Sequence, residues 1–385
     1  MFRQMPFILV AIIFAVVFLA PVTPLVFKQV LYSTSLSIKE LLSFLLPIII
    51  FSLLFKTVVT LSHNATKILG IIIVFVCISN FLSTFLSHYV GAWIYTFDLS
   101  MIAPNSSSEL QGLWTLTLPQ LIANNHAMLA GIVLGLIASK LFPTFSSKIA
   151  NQMSSFVDKL LRGFLCCIPL FVAGFVVKLE YDNVIRMILK DYTAIFMFVA
   201  LAQIIYISFA YLVLSGFQWK GFISSLKNMI PAGISGFSTM SSAASMPLTI
   251  IGVENNVQNK ELARSVVPVT INIHLIGDCI AIPIFAYAVL KSFGMAEPSL
   301  MNYLIFTFYF VVAKFSVAAV PGGGIIVMLP ILEKHLGFDG KMASLITALY
   351  ILFDPIITSA NVLGNGAFAK MIDKIIPSQK KSISN

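Results

Sequence analysis

The chain has 385 residues, of which 58% are hydrophobic and only 10% charged, with a net charge of +9. Ordinary soluble domains carry roughly 25% charged residues, so a soluble globule of this composition would have to present apolar surface to water, a conflict that lipid as the outer solvent removes. The basic excess is scattered between apolar runs with no interleaved aromatic patch, which excludes nucleic acid as a partner and makes membrane lipid the expected one.

A helix crosses the hydrocarbon with about 20 mostly apolar residues. Stretches of that kind lie near 6–26, 38–61, 68–95, 126–142, 162–178, 188–215, 266–290 and 342–370, which makes eight expected spans. The first follows Arg3, and its run over 7–20 begins like a signal peptide. Pro21 and Pro24 stand where a small-residue cleavage site would be, so a retained span is expected. The four cysteines, Cys77, Cys166, Cys167 and Cys279, fall in apolar runs without disulfide or zinc spacing.

Two further apolar stretches are interrupted. The stretch 224–253 is broken by Ser238-Thr239-Met240-Ser241-Ser242, and 300–336 by Pro321-Gly322-Gly323-Gly324. Irregular backbone at membrane depth persists only where protein or a watery cavity satisfies its polar groups. Both are therefore expected to be re-entrant hairpins, with two kinked spans as the alternative reading. The expected fold is an all-α membrane protein of eight transmembrane helices plus two re-entrant helical hairpins, in one domain over 1–385. Hairpins put both termini on one face. That face collects Lys140, Lys148, Lys159, Arg162, Lys370, Lys374, Lys380 and Lys381, although Lys178, Arg186 and Lys190 run against the trend. The bias predicts cytoplasmic termini in a cell inner membrane.

Charge within an apolar span marks a functional candidate. Only Asp278 and Asp354, of fifteen acidic residues, lie well inside such spans. His274 precedes Asp278 by four residues, on the same helix face. Lys56 and Lys314 are the basic counterparts, each long enough to snorkel toward an interface. The structural alternatives are an ion pair or hydrogen bond within the bundle for Asp354, and a satisfied buried pair for His274 and Asp278.

The two interruptions share a chemical use. A hairpin that turns inside the membrane begins a new half-helix there, whose backbone N–H groups favour an anion such as a carboxylate. Glycines let that backbone approach a ligand, and free carbonyls at the same tips suit a cation. The last span adds Asp354, Thr358, Asn361 and Asn365, at spacings of four, three and four on one stripe. Such a stripe must face a cavity or a partner. Asp354 can bind an ammonium, while Thr358 and Asn361 can donate to a carboxylate, so a zwitterionic amino acid fits as the small-molecule substrate.

Taken together, Ser241-Ser242-Ala243-Ala244-Ser245-Met246-Pro247, Thr270-Ile271-Asn272, Val320-Pro321-Gly322-Gly323-Gly324 and Asn361-Val362-Leu363-Gly364 resemble, in order, the motifs of the dicarboxylate/amino acid:cation symporter family, the glutamate-transporter homologues. The resemblance is good over about 220–370. It implies a homotrimer with an elevator mechanism, in which a transport part (about 66–95 and 187–375) moves against scaffold helices (about 6–62 and 124–180). It also implies substrate contacts from Ser241, Ser242, Val320, Pro321, Gly322, Gly323, Gly324, Asp354, Ile357, Thr358 and Asn361. Cation binding or coupling would fall to Thr270, Asn272, His274, Asp278 and Asn365.

The departures from the family pattern are informative. Family members that take acidic substrates carry an arginine where this chain has Ile357, and without it a second carboxylate lacks a bidentate partner. A neutral amino acid is therefore expected. His274 and Asn365 stand where the family uses aspartates for sodium, so the coupling ion is expected to be sodium or a proton, the latter carried by His274 oriented by Asp278. No other cofactor is expected. Pro355 frees a carbonyl one turn earlier. Three alternatives stay open: a dicarboxylate or acidic amino acid symporter, an uncoupled exchanger or channel on the same frame, and an intramembrane enzyme using His274 and Asp278 as an acid–base pair. The last lacks a nucleophile or metal-ligand set.

Overall fold

The computed structural model describes residues 11, 12, 15, 16, 18, 19, 22–63, 67–97, 110–119, 122, 124–181, 192–317 and 322–376. Ten of the 21 residues of the expected first span, 6–26, lie outside them. The described residues are all-helical: α1 (Leu25–His63), α2 (Lys67–Tyr95), α3 (Asn124–Leu141), α4 (Pro143–Tyr181), α5 (Thr193–Leu214), α6 (Trp219–Thr239), α7 (Ser242–Glu254), α8 (Lys260–Thr270), α9 (Ile276–Ser292), α10 (Leu300–Lys314), α11 (Gly323–Leu336) and α12 (Gly340–Ile375). Among them, Gly70–Tyr95, Thr193–Leu214 and Gly340–Ile375 are long and apolar enough to cross a membrane. In hydrocarbon a helix satisfies its own backbone, which is why continuous apolar sequence takes this form.

The helices pack in two sets. α1 lies against α3 and α4, and the remaining helices pack around α9 and α12. Within the first set, the Ser35 hydroxyl donates to the carbonyls of Leu170 and Phe171 on α4, and Gly174 leaves no room for a side chain against Leu31. Lys56 does not reach for an interface; its ammonium donates to Ser154 of α4 at 2.8 Å.

In the second set, α9 is buried on every side, as expected of a helix that is apolar all round and sits at the centre of a bundle. By contrast, α5 buries one stripe, Ile195, Val199, Gln203, Ile207 and Tyr211. It leaves Met197, Leu201, Ile204, Ile205 and Phe209 exposed on the opposite face, as a lipid-facing helix does.

Both interrupted stretches are helical hairpins. α6 and α7 pack limb against limb, joined through Met240 in the left-handed region (φ 49°) and Ser241, whose hydroxyl accepts the Ala244 N–H and caps α7. α10 and α11 do the same, and α11 starts at Gly322 with φ 73°, a conformation that glycine adopts without strain. The expected span 266–290 is not one helix. α8 ends at Thr270, residues 271–275 leave the helical path, and α9 begins at Ile276.

Candidate functional site

The break between α8 and α9 is sustained by side chains from α2, α5 and α12. Buried backbone groups outside a helical ladder need partners, and here amides supply them. Asn80 donates to the Ile273 carbonyl at 2.7 Å and accepts the Leu275 N–H at 3.3 Å. Asn365 donates to the His274 carbonyl at 3.2 Å. Gln203 donates to the Gly277 carbonyl at 3.0 Å. Asn361 Oδ1 accepts the N–H groups of Gly277 at 2.8 Å and Asp278 at 3.4 Å, the first donors of α9.

Both hairpins and the break converge on α12 around a small cavity. Met240 and Ser242 line it from the first hairpin, Val317 and Gly324 from the second, and Asn272, Leu275 and Asp278 from the broken helix. Tyr350, Asp354, Thr358 and Asn361 line it from α12. The N-termini of α7 and α11 thus border one space, and the positive end of a helix favours a carboxylate.

Asp354 is 3% exposed. Its Oδ2 accepts the Gly322 N–H at 2.9 Å and its Oδ1 accepts the Thr358 hydroxyl at 2.9 Å, so the second hairpin and α12 meet on one carboxylate. Among the described residues, Asn361 Nδ2 donates one bond, to Asp278 Oδ1 at 3.3 Å. A primary amide carries two such hydrogens, which leaves one for a guest. Ser242 lines the cavity, whereas Ser241 serves as the cap of α7. Ile357 is fully buried in the apolar core and does not line the cavity. Thr270 ends α8 with its hydroxyl on the Val266 carbonyl, while Asn272 projects into the cavity. Val320 and Pro321 lie outside the described residues.

The expectation that His274 and Asp278 share a helix face is overturned. The helix breaks between them, so spacing of four no longer aligns their side chains. His274 Nε2 instead pairs with Ser79 Oγ at 2.9 Å, and its ring packs on Phe368 with centroids 4.4 Å apart. His274 Nδ1 and Asn365 Oδ1 are buried and find no hydrogen-bond partner among the described residues. Asp278 takes the Lys314 ammonium at 2.9 Å and the Tyr350 hydroxyl at 2.9 Å. Lys314 therefore does not snorkel; it is wholly buried. No acid–base pair forms between His274 and Asp278.

Sequence reasoning missed Tyr350, Asn80 and Gln203. Tyr350 had a signal, since it extends the α12 stripe by one more step of four residues.

A model of the sodium:dicarboxylate symporter family matches residues 5–375. The chain is similar to an excitatory amino acid transporter of Onchocerca volvulus, 30% identical over 148 residues, 38% of this chain and 30% of the relative. A second, from Caenorhabditis elegans, is 29% identical over 148 residues, 38% of this chain and 29% of the relative. Excitatory amino acid transporter 3 of Homo sapiens is 23% identical over 232 residues, 58% of this chain and 43% of the relative. The chain spans less than half the length of each of these relatives.

Proposed function

Because the chain belongs to the sodium:dicarboxylate symporter family, we propose that it is a cation-coupled symporter that carries a neutral amino acid across a cell inner membrane. The observation that carries this reading is Asp354, a buried carboxylate bonded to both the second hairpin and Thr358 at the edge of a cavity. The ammonium of an amino acid pairs with Asp354, a charge-assisted contact of the strong kind. Its carboxylate takes the N–H groups at the start of α7 and the free hydrogen of Asn361. Neither Lys nor Arg lines the cavity among the described residues, so a second carboxylate on the solute has no cationic partner. That argues for a neutral side chain.

The exchangeable cation belongs beside the break. His274 Nδ1 and Asn365 Oδ1 are buried there with no hydrogen-bond partner among the described residues, and such groups favour a proton or a small cation. Movement follows the two packing sets: α1, α3 and α4 form the scaffold of a homotrimer, and α2 with α5–α12 form the part that travels as an elevator. Eight spans with two re-entrant hairpins and cytoplasmic termini complete the arrangement.

The test is uptake into proteoliposomes holding the purified chain, with a sodium gradient or a pH gradient imposed separately. Labelled alanine, serine and leucine are expected to accumulate. Aspartate and succinate are expected to compete weakly. Strong competition by either would replace this reading with a second one, an acidic amino acid or dicarboxylate solute, which the family description and the relatives' names favour. Counterflow without accumulation under any gradient would make the chain an uncoupled exchanger.

A further inference from the structure

Two charges at the site have no part in the reading above. Lys314 ends α10, the first limb of the second hairpin, and Asp278 lies in the first turn of α9. Their side chains are 0% and 1% exposed, with 2.9 Å between Nζ and Oδ2. The other carboxylate oxygen is saturated by Tyr350 and Asn361. The ammonium also sits 4.6 Å from the centre of the Phe310 ring, a face that attracts cations. Ser316, two residues on, buries a hydroxyl without a partner among the described residues.

A buried ion pair is a poor way to stabilise a bundle, since apolar residues of similar size do as well or better, and charge at membrane depth is dearer still. The groups around Nζ nevertheless suit a small monovalent cation: the Asp278 carboxylate and the face of the Phe310 ring. An ion held there from solution can leave; an ammonium on a side chain cannot.

We propose that Lys314 is a resident cation. Its ammonium permanently fills a cation position beside Asp278, so this carboxylate takes no part in ion coupling, and only the exchangeable ion near His274 and Asn365 is carried. The ion-binding half of this inference stands on the pair alone; the coupling half rests on the transport reading.

The experiment uses the purified full chain in detergent, unfolded thermally in sodium chloride, lithium chloride or choline chloride at equal ionic strength. The variants are Lys314→Ala, which opens the position, and Lys314→Ala with Asp278→Asn, which opens it and removes the anion. A ligand that binds only the folded chain raises its unfolding temperature. Lys314→Ala is expected to gain a sodium or lithium stabilisation of several degrees beyond any that the native chain displays. The double variant is expected to lose that gain. In proteoliposomes, Lys314→Ala is expected to need more sodium for half-maximal uptake and to respond to it more steeply than the native chain.

An equal salt response in all three proteins overturns the proposal and makes the pair a structural bridge. If Lys314→Ala aggregates in choline, sodium must rescue it; aggregation in both salts also overturns the proposal. A native chain that transports nothing while Lys314→Ala gains sodium stabilisation would end the transport reading and leave the resident cation standing.

Discussion

The side-chain amide of Asn80 grips the backbone on both sides of His274, donating to the Ile273 carbonyl at 2.7 Å and accepting the Leu275 N–H at 3.3 Å. One residue of α2 thereby replaces two ladder bonds that the break removes. Asn80→Ala would leave both groups buried without partners, at about 1–3 kcal/mol each. Chemical denaturation of the purified protein should report a loss within a few kcal/mol of that sum. Unchanged stability would mean that water or a shifted backbone satisfies the break instead.

Asp354→Asn keeps an oxygen for the Gly322 N–H and the shape of the side chain, but removes the charge that the solute's ammonium needs. Hydrogen bonds to charged groups contribute about 1.5–3 kcal/mol, so the Kd for the amino acid should rise by roughly 10-fold to 100-fold. Calorimetric titration checks this, with the unfolding midpoint as a control expected to stay near that of the native protein. Native affinity in the variant would remove Asp354 from the substrate contacts.

Gly324 of α11 has no room for a side chain. A Cβ there would stand 2.5 Å from Asp278 Oδ2, with the Tyr350 hydroxyl closer still. Gly324→Ala is expected to destabilise the fold by about 1–3 kcal/mol through overpacking and to depress uptake with it. Gly70, on α2, meets nothing within 4 Å. Gly70→Ala should be neutral or mildly stabilising, by about 0.5–1 kcal/mol, because helix interiors prefer alanine. Equal responses from the two variants would contradict the close packing at the site.

The exchangeable ion can be assigned through His274. If the proton rides on the imidazole, an acidic exterior should drive accumulation, and His274→Asn should abolish that response while counterflow persists. Accumulation that follows sodium alone and ignores pH would hand the ion to the neighbouring oxygens, with His274 a packing partner of Phe368.

Much of this molecule was legible in its sequence, and the exceptions share a cause. Long apolar runs announced the helices because length and hydropathy are local properties. The interruptions at Ser238–Ser242 and Gly322–Gly324 announced hairpins for the same reason. The break at 271–275 left a fainter trace, since Asn272 and His274 alternate with the apolar Ile271, Ile273 and Leu275 and no glycine or proline marks a turn. It exists because Asn80, Asn361 and Asn365, distant in the chain, complete its hydrogen bonds. The pairing of His274 with Asp278 failed with the helix it presumed. The sequence leaves Lys314 free to snorkel toward an interface, because its partner lies 36 residues away and only the folded chain brings them together. Tyr350 escaped notice because a phenol reads as apolar, although its register on α12 matched the polar stripe.

The break leans on α12, and α12 is made after it. A ribosome adds about 5–20 residues per second, so the exposed amides and carbonyls of 271–278 wait roughly ten seconds before Asn361 and Asn365 are synthesised. Through that interval the nascent segment has its own turn bonds to the Thr270 carbonyl, with Asn80 and Gln203, but not the amides of α12. A ribosome stalled between the two stretches should therefore hold a chain in which the Gly277 and Asp278 amide hydrogens exchange freely, and their protection arrives once residue 361 has entered the bundle.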